Sequence, residues 1–476
     1  MLQDVARCCK ISHDYGKRRQ EYGTLIIMKI KFLGAAGMVT GSSYILTSGS
    51  GQSILIDLGL FLGTPDINKL NEQPYAYDCS QLAGAVLTHA HLDHCGRLPI
   101  LLPQGYKGNI WMTRATGDLT EISLLDSAKI AKEGDRRPLF DKALAEQTIK
   151  RFMTVDYRTP VSIGNFTVTL RDAGHILGSA ILEIVDTKPD SGVKKVVFSG
   201  DLGNTPEDLL EETEYLDSAD CVVMESTYGD RLHPISSAEV ALESEIHSIE
   251  ASGGTLLIPA FALDRTQELL HMIMHMKQSG KMGAGTPVFL DSPMAEKATL
   301  VYGKYPQIFN THIRDDFKTG NPFGFAGLTV VATNQQSDAL FTLTGPKVII
   351  AGSGMMTGGR ILNLATHFLP IASTRLFIVG YQGEETLGHN ILAGNKQVSI
   401  NGITVPVRAT VNDTQGMSSH ADQKQLIAWL GHIKQVQKVI LTHGEDGPRN
   451  ALAQKISEDL GFTNVSLPVL HQEIQL

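Results

Sequence analysis

A chain of 476 residues exceeds one ordinary domain and predicts two or three units of about 150–200 residues each. Its 42% hydrophobic and 19% charged residues exclude a disordered or fibrous protein, and no apolar run reaches the roughly 20 residues that span a bilayer. A net charge of −9 argues against a broad basic face for nucleic acid, leaving metal ions or a local patch to hold phosphates, and five cysteines without a CxxC pair exclude a disulfide framework or thiolate zinc site. Free thiols and the lack of a signal-like apolar segment predict a cytoplasmic protein.

Residues 1–27 carry Lys10, Lys17, Arg18 and Arg19 without periodicity, and read as a disordered extension or a start placed too early. Met28 then opens a strand over 29–33, followed by a small-residue loop (34–43) and strands over 44–46 and 53–59. Asp57 closes the apolar part of the last of these, either as a turn residue or as a carboxylate that supports a neighbouring metal loop. The apolar run 82–87 leads into Thr88-His89-Ala90-His91-Leu92-Asp93-His94, where three imidazoles and a carboxylate crowd into six residues. Histidine is uncommon and usually occurs singly, so this cluster reads as a site for zinc or another borderline metal. Residues 114–152 read as two helices around a break at 134–138. A strand over 166–170 runs toward His175, which taken alone is more often a satisfied structural histidine than a ligand, but whose glycine-flanked place repeats the setting of the first cluster. Two further strands end in Asp201 and Glu225. Buried strands that each end in one His, Asp or Glu assemble a metal-dependent hydrolytic site at a sheet edge.

From 231 to about 384 the texture changes to alternating helix and strand. Ser236 or Ser237 caps a helix, a strand follows over 255–258, and a second helix runs from Arg265 to Ser279 with Met272, Met274 and Met276 as core packing. A strand over 346–351 empties into Gly352-Ser353-Gly354 and a glycine-rich loop that ends at Arg360. Strand, glycine loop and helix N-terminus make an anion site or, as often, a turn without a ligand. The unit 255–380 reads as an open α/β sheet, inserted before the first architecture resumes near Val398 with short strands to Val411. Ser418-Ser419-His420-Ala421-Asp422 precedes an amphipathic helix, and Leu441-Thr442-His443 repeats the pattern of Leu87-Thr88-His89.

With these residues placed, the chain resembles the β-CASP branch of the metallo-β-lactamase superfamily over about residues 29–460, on its HxHxDH motif (His89, His91, Asp93, His94) and its motifs A, B and C (Glu225, His420, His443). The resemblance implies an α/β fold: a metallo-β-lactamase αββα sandwich from 28–230 and 385–476, with a β-CASP α/β domain inserted at 231–384. It implies two zinc ions per chain, one held by His89, His91 and His175, the other by Asp93, His94 and His443, with Asp201 bridging and Asp57 in support. A histidine at motif C favours RNA over DNA. Residues 258–267 and the 352–360 loop look like the family's substrate-cleft signatures, so Arg265, Gly352, Ser353, Gly354 and Arg360 are expected to hold flanking phosphates. Asp264, Glu385 and His389 depart from the usual residues there, and the added carboxylates are expected to weaken phosphate binding.

The expected reaction is hydrolysis of phosphodiester bonds in single-stranded RNA by a metal-bridging hydroxide, with His420, oriented by Glu225, as general acid and Asp93 counted among the catalytic residues. The rivals are hydrolysis of a small thioester or lactam, DNA cleavage, and a non-catalytic RNA-binding subunit. No separate RNA-binding module is read beside the core, so specificity is expected from the cleft, a homodimer or a partner; no membrane association is expected.

Overall fold

The computed structural model describes residues 27–133, 138–188, 193–205, 209–234, 237–383, 386–414 and 417–476. The expected extension up to residue 26, the break at 134–137, Ser236 and Glu385 lie outside the described residues.

Two seven-stranded sheets face each other. The first runs in the order Glu473–Gln475, Lys29–Phe32, Tyr44–Thr47, Ser53–Ile56, Leu82–Val86, Ile110–Met112, Phe152–Thr154. The second runs Val465–Ser466, Lys438–Leu441, Cys221–Met224, Lys195–Phe198, Ala180–Asp186, Phe166–Asp172, Val161–Ile163. Alternation explains the facing: Ile30 and Phe32 turn inward with Tyr44, Ile54 and Ile56, and meet Phe166, Val168, Leu170, Leu182 and Phe198 from the opposite sheet. Burial of each such side chain contributes about 1.5–3 kcal/mol. Outside the first sheet lie the short helical turns with Leu98 and Leu101. Outside the second lie Gln423–His432 and Asp446–Leu460, which bury Leu426, Trp429, Leu430, Leu452 and Ile456. The fold is therefore an αββα sandwich.

The inserted unit is a six-stranded parallel sheet in the order Leu328–Val330, Val288–Asp291, Lys347–Ala351, Thr255–Pro259, Arg375–Ile378, Thr410–Asp413. Its buried strands are continuous apolar runs because helices cover both faces. Ser237 caps Ala238–Ser252, and Ser292 caps a helix that opens on Pro293. Met272, Met274 and Met276 are core residues. The strand Thr410–Asp413, expected with the returning first architecture, instead pairs with Arg375–Ile378, and Gln397–Ile400 with Ile403–Pro406 forms a separate hairpin. The pairing is set by backbone partners far away in sequence, which a short apolar run does not specify.

Candidate metal centre

The C-terminal ends of six strands deliver the polar residues to one edge of the sandwich. Ser53–Ile56 ends at Asp57, Leu82–Val86 at the His89–His94 loop, Phe166–Asp172 at His175, Lys195–Phe198 at Asp201, Cys221–Met224 at Glu225, and Lys438–Leu441 at His443. Glycines permit the loops to touch. A Cβ at Gly59 would lie 1.5 Å from the Asp93 carbonyl oxygen, and one at Gly203 would lie 2.0 Å from that of Gly174.

The ring nitrogens converge. His91 Nδ1 lies 3.1 Å from His89 Nε2 and 3.2 Å from His175 Nε2. Asp201 Oδ2 is 3.4 Å from His89 Nε2, 3.7 Å from His175 Nε2 and 3.3 Å from His94 Nε2. On the other side His94 Nε2 is 3.1 Å from His443 Nε2, which is 3.4 Å from Asp93 Oδ2 and 3.7 Å from Asp201 Oδ1. The arrangement puts His89, His91 and His175 in one group and Asp93, His94 and His443 in another, with Asp201 between them.

Nearly all of this is buried, and the titrations follow. Burial, reinforced by His94, holds His89 well below the usual imidazole value; burial lowers His91 to about 4; burial and His420 lower His175 well below it. Neutral imidazoles present lone pairs, the form in which they bind metal. Burial pushes the Asp93 and Asp201 carboxyls up, but His443 and His94 outweigh it and hold Asp93 at about 2 and Asp201 well below the carboxylate range. Burial also opposes charge on His94, yet Asp201 and Asp57 raise it well above its ordinary value, marking a point where the carboxylates call for a cation. Asp201 Oδ1 is buried and accepts no hydrogen bond. Clustered lone pairs and an unpartnered carboxylate oxygen fit bound metal.

Outer partners fix the ligands. Asp57 Oδ1 accepts the Thr88 amide at 2.8 Å, and Asp57 Oδ2 accepts from the Thr88 hydroxyl and His94 Nδ1, both at 2.8 Å. Asp57 thus sits in a turn at φ 56° and its carboxylate meets the ring of His94. His175 Nδ1 donates to the Ser419 carbonyl at 3.0 Å, and His443 Nδ1 faces the Thr227 hydroxyl at 3.0 Å. Thr88, Thr227 and Ser419 are positioning residues that the sequence reading did not single out. Thr88 was within reach, since a threonine precedes the histidine in both Leu-Thr-His repeats.

His420 stands beside this centre, its Nε2 4.0 Å from Asp201 Oδ2 and its Nδ1 3.2 Å from each Glu225 oxygen. Burial lowers its affinity for a proton, but Glu225 overcomes this and raises its pKa to about 9. Glu225 is held in turn by the Leu202 amide at 2.7 Å.

The residues expected to hold phosphates are arranged differently from one another. Arg265 reaches the centre's rim, where it donates to Ser419 Oγ at 2.9 Å and pairs with Glu268. Arg360 does not: its guanidinium is taken by Asp291 and the carbonyls of Val331 and Ala332. The 352–360 loop closes on itself, since the Ser353 amide donates to Gly358 O and Ser353 Oγ accepts the amides of Thr357 and Gly358. Gly354 packs against Phe261, and its carbonyl accepts from Gln382. The amides of Ser353, Thr357 and Gly358 are thus used within the loop. Asp264 does not cap its helix by its side chain. It is buried, and its carboxylate accepts from Tyr302 and Ser419. His389 sits in the first turns of Leu387–Leu392, its amide bonded to Thr386.

Comparison with known proteins gives a Beta-lactamase superfamily domain at residues 53–260, a Beta-Casp domain at 266–391, and a Zn-dependent metallo-hydrolase RNA specificity domain at 404–468. The chain is 37% identical to a ribonuclease of Thermus thermophilus over 90% of its own length and 96% of that protein. It is 32% identical to transcription termination factor FttA of Methanocaldococcus jannaschii, covering 88% of this chain and 67% of the factor. It is 29% identical to cleavage and polyadenylation specificity factor subunit 3-I of Arabidopsis thaliana over 90% of this chain and 63% of that one. A solved structure of a protein of unknown function from Enterococcus faecalis V583 shares the fold, with a TM-score of 0.54 at 12% identity over 94% of this chain and 100% of that chain.

Proposed function

Because the chain belongs to the β-CASP branch of the metallo-β-lactamase superfamily, we propose that it is a zinc-dependent ribonuclease that hydrolyses phosphodiester bonds of single-stranded RNA. The observation that carries this reading is the His420–Glu225 pair beside Asp201, an acid placed next to a complete set of metal-binding side chains. The segment described as RNA specificity domain, 404–468, supplies both His420 and His443. A small thioester or lactam would leave that pair and a six-stranded inserted unit without a task.

The residues fit two zinc ions, one on His89, His91 and His175, one on Asp93, His94 and His443, with Asp201 shared. Such ions supply a Lewis acid for phosphoryl oxygens and lower the pKa of water to about 7. The chain contributes the rest. Glu225 accepts the Nδ1 proton of His420, which leaves Nε2–H directed toward the centre to protonate the departing 3′-oxygen. Arg265 holds Ser419, next in the chain to His420, and Ser419's carbonyl holds His175, so acid and ligand move as one piece. Arg265 remains our candidate for a neighbouring phosphate. Among the described residues Cys79, Cys95 and Cys221 are free thiols, which suits a cytoplasmic protein, and no helix is long and apolar enough to cross a membrane.

The test is metal content together with cleavage of a 5′-labelled single-stranded RNA and of a DNA strand of the same sequence. Wild type is expected to hold zinc and cut RNA, with product lengths separating endonucleolytic from 5′-to-3′ exonucleolytic action. Asp201→Asn is expected to lose metal and cleavage, and His420→Ala to keep metal but slow the chemical step. Normal cleavage by either variant overturns the proposal.

A further inference from the structure

A second group of ligand-type side chains lies in the inserted unit, away from the strand ends. The helix Arg265–Ser279 carries His271 and His275, and the helix Thr311–Thr319 carries His312 and Asp316. Each pair is spaced four residues apart, so each occupies one helix face. The two faces meet. Asp316 Oδ2 lies 2.9 Å from His271 Nε2 and 3.0 Å from His275 Nε2, and those two nitrogens are 3.0 Å from each other. The His312 ring stacks on that of His275 at 5.4 Å and 18°. One ligand atom from each of the four lies within 4.8 Å of all the others.

Simple ion pairing explains this poorly. Two imidazolium Nε2–H groups 3.0 Å apart would repel and compete for one oxygen, and a third histidine adds nothing to the neutralisation of one carboxylate. Nitrogens and oxygen aimed at a common point are instead the edges of a coordination shell: a tetrahedral zinc with bonds of about 2.0–2.1 Å separates its ligand atoms by about 3.3 Å. The strand-end centre shows the same spacing, 3.1 Å for His89–His91 and for His94–His443. We propose that His271, His275, His312 and Asp316 form a further metal site, taking one divalent ion of the zinc class that clamps two helices of the inserted unit. Three imidazoles and one carboxylate select zinc or a similar borderline ion over calcium or magnesium, which take oxygen shells. The clamp has a structural purpose. It fastens the helix that begins at Arg265, the residue that reaches Ser419 at the rim of the first centre, to a helix whose Phe317 packs on Phe309 and Phe323.

Zinc per chain, measured by elemental analysis on the full-length protein, tests this in two backgrounds. In the natural sequence, His275→Ala/His312→Ala is expected to lose one equivalent relative to wild type while RNA cleavage persists. In the Asp201→Asn background, whose strand-end centre is weakened, the added pair is expected to remove one further equivalent. Zinc titrated into chelator-stripped protein is expected to raise the melting temperature of wild type more than that of the variant. The exposed His312 also permits the single His312→Ala variant, which removes no buried side chain and is expected to lower zinc affinity at least tenfold. Unchanged zinc content in the double variant, or unchanged affinity in the single one, overturns the proposal.

Discussion

Thr88 serves three side chains: its amide and hydroxyl hold both oxygens of Asp57, and its hydroxyl also faces Nδ1 of His89 at 3.1 Å and Nδ1 of His94 at 3.4 Å. At this scale the clustered ligand-type residues and Asp57 stand out in the sequence while the hydroxyl and carbonyl partners do not, because a hydroxyl or carbonyl gains its role only from what folds against it. Thr227 meets His443 across 216 residues. Glu225 acts on His420 in the same non-local way, and Glu225→Gln removes the charge that raises the imidazole to about 9. The acid form then titrates at lower pH, so the alkaline limb of the kcat/KM profile is expected to move down by about one pH unit or more; an unmoved limb would show that Glu225 does not tune the acid. Asp172 offers a stability counterpart. Burial raises its carboxyl from 3.8 to about 7, although the Gly174 amide donates to it at 2.9 Å. The folded chain therefore holds the proton more tightly than the unfolded one, and this contribution is complete below about pH 4 and lost as pH rises through about 7. Asp172→Asn keeps the neutral form and is expected to be more stable at pH 8 by up to about 4 kcal/mol, the gap closing near pH 4, as urea unfolding at the two pH values would show.

Among the elements, the helix Gln423–His432 joins motif to scaffold. Asp422 caps it by accepting the Gln425 amide at 2.9 Å, and the Gln425 side chain accepts the Asp422 amide in return. The same Asp422 carboxylate accepts the His233 amide, while His233 donates to the His420 carbonyl at 2.8 Å. Asp422→Ala is expected to cost about 1–2 kcal/mol of stability and to lower kcat more than it changes KM, because the loop bearing His420 loses an anchor. Strand ends and helix caps were legible because period, apolar runs and capping residues are local signals. The glycine loop was not, since its amides could serve an anion or Ser353 equally, and Arg360 was not, since its partner Asp291 lies 69 residues away. Thr410–Asp413 joined the third sheet for a similar reason: nothing within the strand names its neighbour.

For the whole molecule, the metal-site edge follows from the recurrence of strands that end in His, Asp or Glu, the inserted unit from the change to alternating helix and strand, and the sandwich from the family resemblance, but strand order follows from none of them. That the final strand Glu473–Gln475 would pair with Lys29–Phe32 is invisible until both are folded. The site unites both sheets, so stripping metal should be felt globally. Chelation is expected to abolish cleavage and lower the melting temperature by several degrees, with both restored by zinc, because it leaves Asp201 buried among imidazoles without a cation; a melt indifferent to chelator would refute this.

The two ligand groups also differ in when they exist. His89, His91, His175 and Asp201 lie in the first half of the chain, whereas His443 follows a strand that needs Cys221–Met224 already in place. A protein emerging from the ribosome acquires its parts from the N-terminal end. The second ligand group therefore closes only after His443 has been made, and His420, the proposed acid, arrives scarcely earlier. The proposed ribonuclease is thus unarmed until that histidine has emerged and its strand has paired with Cys221–Met224.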